Sequence, residues 1–374
     1  MILTDIVIIG GGIAGASAAA ELAAGASVIL LEREASCGQH ATGRSAASFS
    51  QAYGAPIIRR LARASRTFLE TPPPGFTEAP ILRPRGMITV ARQDQTQRLA
   101  RELDAAQALA PSIHTIPPAE AEAMVPILRP GHVAAAFFEP GQREIDVDAL
   151  HQGFLRQART RGAQVLTGAG VTAIARDGQD WRIATSAGEI GARVIVNAAG
   201  AWADEVAGMA DLSPIGITPY RRTAFHVAAP DGMEIAAWPM INDVDEEFYF
   251  KPDAGRLFVS PGDATPSPPM DAWPHDIDVA IGVERLEAAT TLGVRRILSS
   301  WAGLRSFAPD RVPVVGMEGA GFFWLAGQGG YGIKTSPALA RATASLILTG
   351  HFTDDLIEAG IDPAALSPAR LRSI

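Results

Sequence analysis

The chain has 374 residues, 47% of them hydrophobic and 19% charged, with a formal net charge of −8. That much apolar material excludes a disordered chain and suffices for two cores, and the negative charge disfavours nucleic acid as a partner. The single cysteine, Cys37, excludes an internal disulfide framework and a cysteine-based zinc site.

The first element is a strand. "DIVIIGGGIAGASAAAELAAGASVILLERE" (5–34) reads as strand, tight turn, helix, strand. Ile6 to Ile9 is a continuous apolar run, as in a parallel strand covered on both faces. Ala14 to Ala24 is alanine-rich and helical, Gly25 ends it, and Val28 to Leu31 is a second strand. No basic segment precedes the apolar run, which leads straight into a glycine motif, so it is not read as a secretion signal and the cytoplasm is the expected location. No apolar run reaches the length of a membrane span.

Gly10, Gly12 and Gly15 form G-x-G-x-x-G at the strand–helix junction, and Glu32 ends the next strand about twenty residues on. Gly10 makes the turn, Gly12 lets a pyrophosphate approach the backbone, and Gly15 lets helix and strand pack closely. The helix start faces the phosphates, and Glu32 accepts the ribose hydroxyls. "TGRSAAS" (Thr42 to Ser48) then offers hydroxyls, small residues and Arg44.

Proline clusters follow at "TPPPGF" and "PILRPRG". "DQTQRLARELDAAQAL" has the charge pattern of a solvated helix, and "DVDALHQGFLRQARTRGAQVL" reads as a helix capped by Asp146 or Asp148, then a strand. "ARVIVNAAGAW" is another buried strand. Residues 215–265 alternate and predict an antiparallel sheet. In "SSWAGLRSFAPD" (299–310), Trp301, Leu304 and Phe307 read as core, which sets Arg305 near or below the surface. Its partner is a ligand anion, Asp310 or buried carbonyls. "GFFWLAGQGGYGIKTS" closes the chain as strand, glycine turn (Gly327, Gly329, Gly330, Gly332) and helix. Two glycine-rich helix starts at opposite ends of the chain suit one long cofactor, FAD, better than NAD.

The expected fold is α/β (α+β overall): a Rossmann-type FAD-binding domain with an inserted antiparallel-sheet substrate domain. Its segments are 1–80, 146–210 and 300–374 for FAD, and 81–145 and 211–299 for the substrate domain.

The stretches "ATGRSAA", "AYGAP", "DALHQGFLRQ", "NAAGAW", "FYFKPDAG", "LEAATTL", "WAGLRSF" and "GFFWLAGQGGYGIKTS" run in order over nearly the whole chain. In them the chain resembles the D-amino-acid oxidase superfamily of FAD-dependent oxidoreductases, which includes glycine and sarcosine oxidases, and most nearly its bacterial D-arginine dehydrogenase branch. Besides the glycine fingerprint, the resemblance implies FAD contacts from Ala14, Glu32, Arg33, Thr42, Gly43, Arg44, Ser45, Ala46, Ala47 and Ser48. Further contacts are implied from Val171, Ala199, Gly200, Trp202, Gly303, Gly330, Tyr331, Gly332, Ile333, Lys334 and Thr335, with no covalent bond to the cofactor. It implies that Arg222, Tyr249 and Arg305 hold the substrate carboxylate and that Tyr53 stands beside the reacting centre. Ser48, Met87 and Met240 join the substrate pocket, and the Gly332 carbonyl accepts a hydrogen bond from the substrate amine. Tyr53, Tyr249, Arg222 and Arg305 are then the catalytic set, without a metal, although both tyrosines also read as packing aromatics.

The implied reaction is oxidative deamination of a D-amino acid to a 2-oxo acid and ammonia, by hydride transfer from Cα to flavin N5. The electron acceptor is oxygen, a quinone or another carrier; through it, peripheral membrane association stays open. Two positions depart from the arginine-oxidising pattern: Met87 replaces a glutamate and Ser48 a histidine. An apolar Met87 cannot compensate a substrate cation, so a neutral or hydrophobic side chain is expected. Lys334 resembles the lysine that sarcosine-oxidase relatives place at the flavin pyrimidine edge, where a cation offsets negative charge. The alternatives are a glycine or N-methyl amino acid oxidase, and a flavoprotein subunit that needs a partner chain. The seven histidines show no metal-binding spacing, and "DEE" (245–247) reads as a solvated turn near the pocket mouth.

Overall fold

The apolar run after Asp5 lies in a strand, Ile2–Ile9, at the middle of an eight-stranded sheet in the computed structural model, which describes residues 1–372. Val28–Leu31 and Gly188–Asn197 flank it in parallel, and Gln164–Leu166 extends the parallel set beyond Val28–Leu31. Gly188–Asn197 has two partners on its other edge. Its first half pairs antiparallel with Asp180–Thr185, and its last three residues pair in parallel with Phe322–Ala326. Ile6, Ile8 and Leu30 point into one core, against the helices Ile13–Leu22, Val147–Thr160 and Gly332–Thr349. Val7, Ile9, Ile29 and Leu31 point into another, with Trp181 and Trp324. Both faces are covered, which is why Ile6–Ile9 and Val28–Leu31 are apolar at every position. Asp146 caps the helix Val147–Thr160, its carboxylate accepting the Ala149 N–H at 3.0 Å.

The second sheet has ten strands and is antiparallel except where Met240–Asp243 runs alongside Met87–Ala91. Its order from one edge is Gln328–Gly329, Ile297–Phe307, Thr218–Ala228, Arg256–Ser260, Tyr249–Asp253, Met240–Asp243, Met87–Ala91, Ala135–Glu139 and His114–Ile116; Thr265–Pro266 pairs separately with Thr218–Ala228. Register decides what this sheet shows to the first domain. Arg222 pairs with Gly303, Arg305 with Tyr220, Tyr249 with Ser260, Asn242 with Tyr249, Met240 with Met87, and Met87 with Glu139. Paired residues share a face and alternate residues along a strand do too, so Arg305, Arg222, Tyr249, Met240, Met87 and Glu139 all project from one side. A small sheet of Ser48–Phe49, Arg143–Ile145 and Leu82–Pro84 lies between the two large ones in the chain's path.

One expected boundary moves. The division at 299/300 falls inside Ile297–Phe307, which pairs along its length with Thr218–Ala228, so residues 300–307 belong to the second sheet. The strand is continuous because its alternate residues Ala302, Leu304 and Ser306 are buried while Gly303 and Arg305 face the other way.

Candidate active site

The first strand ends at Ile9, and Gly10 turns the chain with φ +110°, a conformation L side chains rarely adopt. A Cβ on Gly15 would lie 1.9 Å from the Gly10 carbonyl oxygen, so only glycine lets the helix start so close to the strand. Three side chains hold this turn from outside. Glu32 Oε2 accepts the Gly11 N–H at 2.9 Å, Thr42 Oγ1 accepts the Ile13 N–H at 2.9 Å, and His151 Nε2 lies 2.9 Å from the Gly11 carbonyl. Burial lowers the His151 pKa, so the ring is neutral and donates that bond. Glu32 Oε1 accepts the Glu34 N–H at 2.9 Å. Each oxygen of a carboxylate accepts two hydrogen bonds, which leaves capacity for a ribose diol. Arg33 stacks over Trp202, 3.8 Å from the ring centre.

From this cradle one long cavity runs to the start of the helix Gly332–Thr349. Arg44 braces its wall, donating to the carbonyls of Ala272 and Ala302 at 2.8 and 3.0 Å and pairing with Asp271. At the far end stand Arg222, Arg305, Tyr53, Tyr249, Met87 and Met240. Arg222 Nε donates to the Asp263 carbonyl at 2.7 Å, which fixes the guanidinium and leaves its other nitrogens to the cavity. Arg221 points the opposite way, toward His275 and Asp278. Arg305 is different: among the described residues its guanidinium has no hydrogen-bond partner, and, as for Arg222, no carboxylate lies within 4.0 Å of it. Asp310, its sequence neighbour, pairs with Arg370 at 2.7 Å. Burial opposes the Arg305 charge, but Tyr53, Tyr249, Tyr331 and Glu246 outweigh it and raise the pKa above its ordinary value.

Tyr53 donates its hydroxyl to Glu246 Oε1 at 2.7 Å. Burial, and then the Glu246 charge, push the phenol well above its usual range, so Tyr53 is a neutral donor and no base. Glu246 itself holds φ +58°, uncommon for a non-glycine residue. Its turn is locked by Asp243 Oδ1, which accepts the Asp245 and Glu247 N–H groups at 2.9 and 3.3 Å, and by Arg92, 2.8 Å from Glu247. The buried Lys334 donates to the carbonyls of Ser50 and Tyr53 at 3.0 and 2.8 Å. Burial lowers its pKa to about 7; Glu139 opposes the shift and Arg59 adds to it.

Most residues singled out in the sequence line this cavity, from Gly10, Gly12 and Ala14 to Gly332, Ile333 and Lys334. Three of the expected cofactor contacts do not, and the first, Gly15, is spent on packing the helix against the Gly10 turn. Gly43 is turned into its own loop, its N–H donating to the Gly38 carbonyl at 2.8 Å, and Thr335 is fully buried behind the helix start, bonded to the Tyr331 carbonyl at 2.9 Å. Glu246, within the acidic turn read as solvated, enters the cavity instead. Three adjacent acids carry no local sign of which one turns inward. His151, Ser50 and Glu139 are also additions from the structure. Among the described residues no cluster of His, Cys, Asp or Glu has metal-binding geometry.

A glycine turn against a parallel strand, a helix start, a carboxylate at the end of the second strand and a cavity continuing into a second sheet define a dinucleotide-binding oxidoreductase of the flavin class. Residues 5–346 match the family model for the FAD dependent oxidoreductases (DAO), and the chain belongs to that family. Its cofactor is FAD, which the glycine cradle and Glu32 fit. The chain is 27% identical to mouse (Mus musculus) dimethylglycine dehydrogenase over 270 residues, covering 67% of this chain and 31% of that protein. It thus spans about a third of that relative's length. Among solved structures it is similar to L-proline dehydrogenase from P. horikoshii, with a TM-score of 0.84 and 23% identity over 100% of this chain and 98% of that one. Glycine oxidase from Geobacillus kaustophilus is similar too, with a TM-score of 0.85 and 23% identity over 99% of each chain. No helix among the described residues is long and apolar enough to cross a membrane.

Proposed function

We propose that this FAD-dependent oxidoreductase oxidises an amino acid of D configuration with a neutral, hydrophobic side chain, giving a 2-oxo acid and ammonia. One observation carries the reading: Arg305 brings a charged guanidinium into the cavity with no carboxylate within 4.0 Å among the described residues, on the same sheet face as Arg222. A planar fork of donors matches a substrate carboxylate and removes the penalty of an unpaired cation. Tyr249 flanks the bound headgroup as a donor, and Tyr53, whose proton goes to Glu246, stands beside it as a positioning side chain. FAD supplies the acceptor for the hydride that leaves Cα. The chain's part is orientation, since two fixed guanidinium groups leave the substrate little rotational freedom. The α-ammonium gives up its proton to water before oxidation, because a cationic nitrogen has no lone pair to donate. The imino acid formed is hydrolysed to the 2-oxo acid. Met87 and Met240, in register on adjacent strands, form an apolar wall that suits an uncharged side chain. The electrons pass on to oxygen, a quinone or another carrier.

The test is anaerobic mixing of the yellow holoenzyme with D- and L-amino acids while the flavin absorbance is followed. Bleaching by D-Met, D-Leu or D-Phe is expected. Bleaching by L isomers alone, or by D-Arg and D-Lys far faster than the neutral set, overturns the stereochemical or side-chain part. The similarity to dimethylglycine dehydrogenase supports a second reading, an N-methylated amino acid held by the same guanidinium pair. Formaldehyde in place of ammonia among the products identifies it.

A further inference from the structure

Tyr53 reaches the cavity from a short irregular turn, residues 50–54, with few backbone bonds of its own. Side chains from outside the turn hold it. Lys334 takes the carbonyls of Ser50 and Tyr53, and Arg59 takes that of Gly54 at 2.6 Å. The Ser50 hydroxyl accepts the Ala52 and Tyr53 N–H groups at 3.2 and 3.1 Å. A serine hydroxyl has one proton and two lone pairs. Here both lone pairs are used by the turn, and the proton goes to Glu139 Oε2 at 3.0 Å.

Glu139 is 4% exposed and has no salt-bridge partner within 4.0 Å among the described residues. A buried carboxylate without an ion pair is costly and is retained where it is used. Ser50 is the atom-by-atom link between the two buried ionisable groups: its hydroxyl donates to Glu139 and its carbonyl accepts from Lys334.

We infer that Glu139 is a positioning residue for the proposed substrate site: by fixing the Ser50 hydroxyl rotor it holds the 50–54 turn, and through it places the Tyr53 hydroxyl against Glu246. The inference rests on the proposed role of Tyr53, but its structural half is measurable without substrate. An acceptor is what the Ser50 proton needs, so a glutamine, which keeps a carbonyl oxygen, preserves the turn, whereas a leucine does not. Burial pushes the Glu139 carboxyl up to about 6, against the Ser50 hydrogen bond and the Lys334 charge, so its charge is weakly held while its acceptor role is not.

Hydrogen exchange on the FAD-loaded enzyme is the first readout. Glu139→Leu and Ser50→Ala are each expected to speed exchange of the Ala52 and Tyr53 amides by about tenfold, the scale of one lost hydrogen bond, while Glu139→Gln leaves them near wild type. The second readout is the rate of flavin reduction by the best substrate, together with its KM, in a cycle with Tyr53→Phe. Glu139→Leu is expected to slow reduction in the Tyr53 background and to add little in the Tyr53→Phe background. Unchanged amide exchange in Glu139→Leu overturns the positioning role. So does a full, additive loss in the Tyr53→Phe background, or failure of Glu139→Gln to preserve exchange. If Glu139→Leu does not retain FAD, Glu139→Met, close to glutamine in length but without an oxygen acceptor, decides. Altered exchange in an enzyme that no amino acid reduces leaves the turn's architecture standing and refutes the functional reading instead.

Discussion

Arg305 is the residue on which the proposed chemistry turns. It lies in an apolar strand, its neighbour Asp310 is engaged by Arg370, and the cavity gives it no carboxylate within 4.0 Å among the described residues. Arg305→Ala is expected to lower kcat/KM by about a hundredfold to a thousandfold, because the substrate carboxylate then lacks its charged partner. Steady-state kinetics check this, with Asp310→Asn as the control that leaves kcat/KM unchanged. This arginine was legible in the chain, since a guanidinium among Trp301, Leu304 and Phe307 needs a partner, whether a ligand anion, Asp310 or buried carbonyls. Glu246 was not, since three adjacent acids look alike and the turn that aims this one inward is tied down by Arg92, 155 residues from Glu247. Lys334 gives a second prediction at this scale. Burial lowers its folded pKa to about 7 from 10.5, so between those values the unfolded chain binds the extra proton. Stability therefore rises with pH across that window, and the cost of burying the charge is fully present below it. Glu139, raised from 4.5 to about 6, works the other way between those lower values. In the chain freed of FAD, Lys334→Met is expected to abolish the alkaline rise in Tm, which melting curves at several pH values check.

At the scale of elements, two helix starts meet the cavity and each depends on a glycine for a different reason. A Cβ on Gly15 would strike the Gly10 carbonyl oxygen at 1.9 Å, whereas one on Gly330 would lie 2.2 Å from Nε and Nη2 of Arg305. Gly15→Ala is expected to abolish FAD binding by pushing the first helix off its strand, read as loss of bound yellow cofactor after purification. Gly330→Ala is expected to keep FAD and to raise KM by about tenfold or more, because it displaces the clamp rather than the cradle. The first of these effects follows from the glycine spacing alone. The second does not, since the sequence says nothing of which strand packs on the last glycine turn.

For the molecule as a whole, the cavity is walled by segments from both ends of the chain and from its middle, Gly10 to Ser48, Val171 to Trp202, Gly303 to Arg305 and Gly330 to Lys334. A ligand held by all of them ties the folding of both sheets together. Hundredfold excess of FAD over its Kd adds about 2.7 kcal/mol to a protein that binds it only when folded. For a chain of this length that raises Tm by about 3–4 °C, and calorimetry with and without FAD should show the shift in one transition. Two separate transitions, only one of them moving, would show that the sheets fold independently.

What the sequence determined by itself is local: the strand–turn–helix–strand unit with its glycine spacing and Glu32, the antiparallel character of residues 215–265, and the need of Arg305 for a partner. These follow from side-chain periodicity, glycine geometry and the cost of burying charge, all of which act over a few residues. The tertiary structure alone decided that Glu246 meets Tyr53 across 193 residues and that Glu139 meets Ser50 across 89. The physical reason is register. Which residues share the inner face of the second sheet is set by strand pairing over the whole chain, and only there does a carboxylate become an acceptor for one particular hydroxyl.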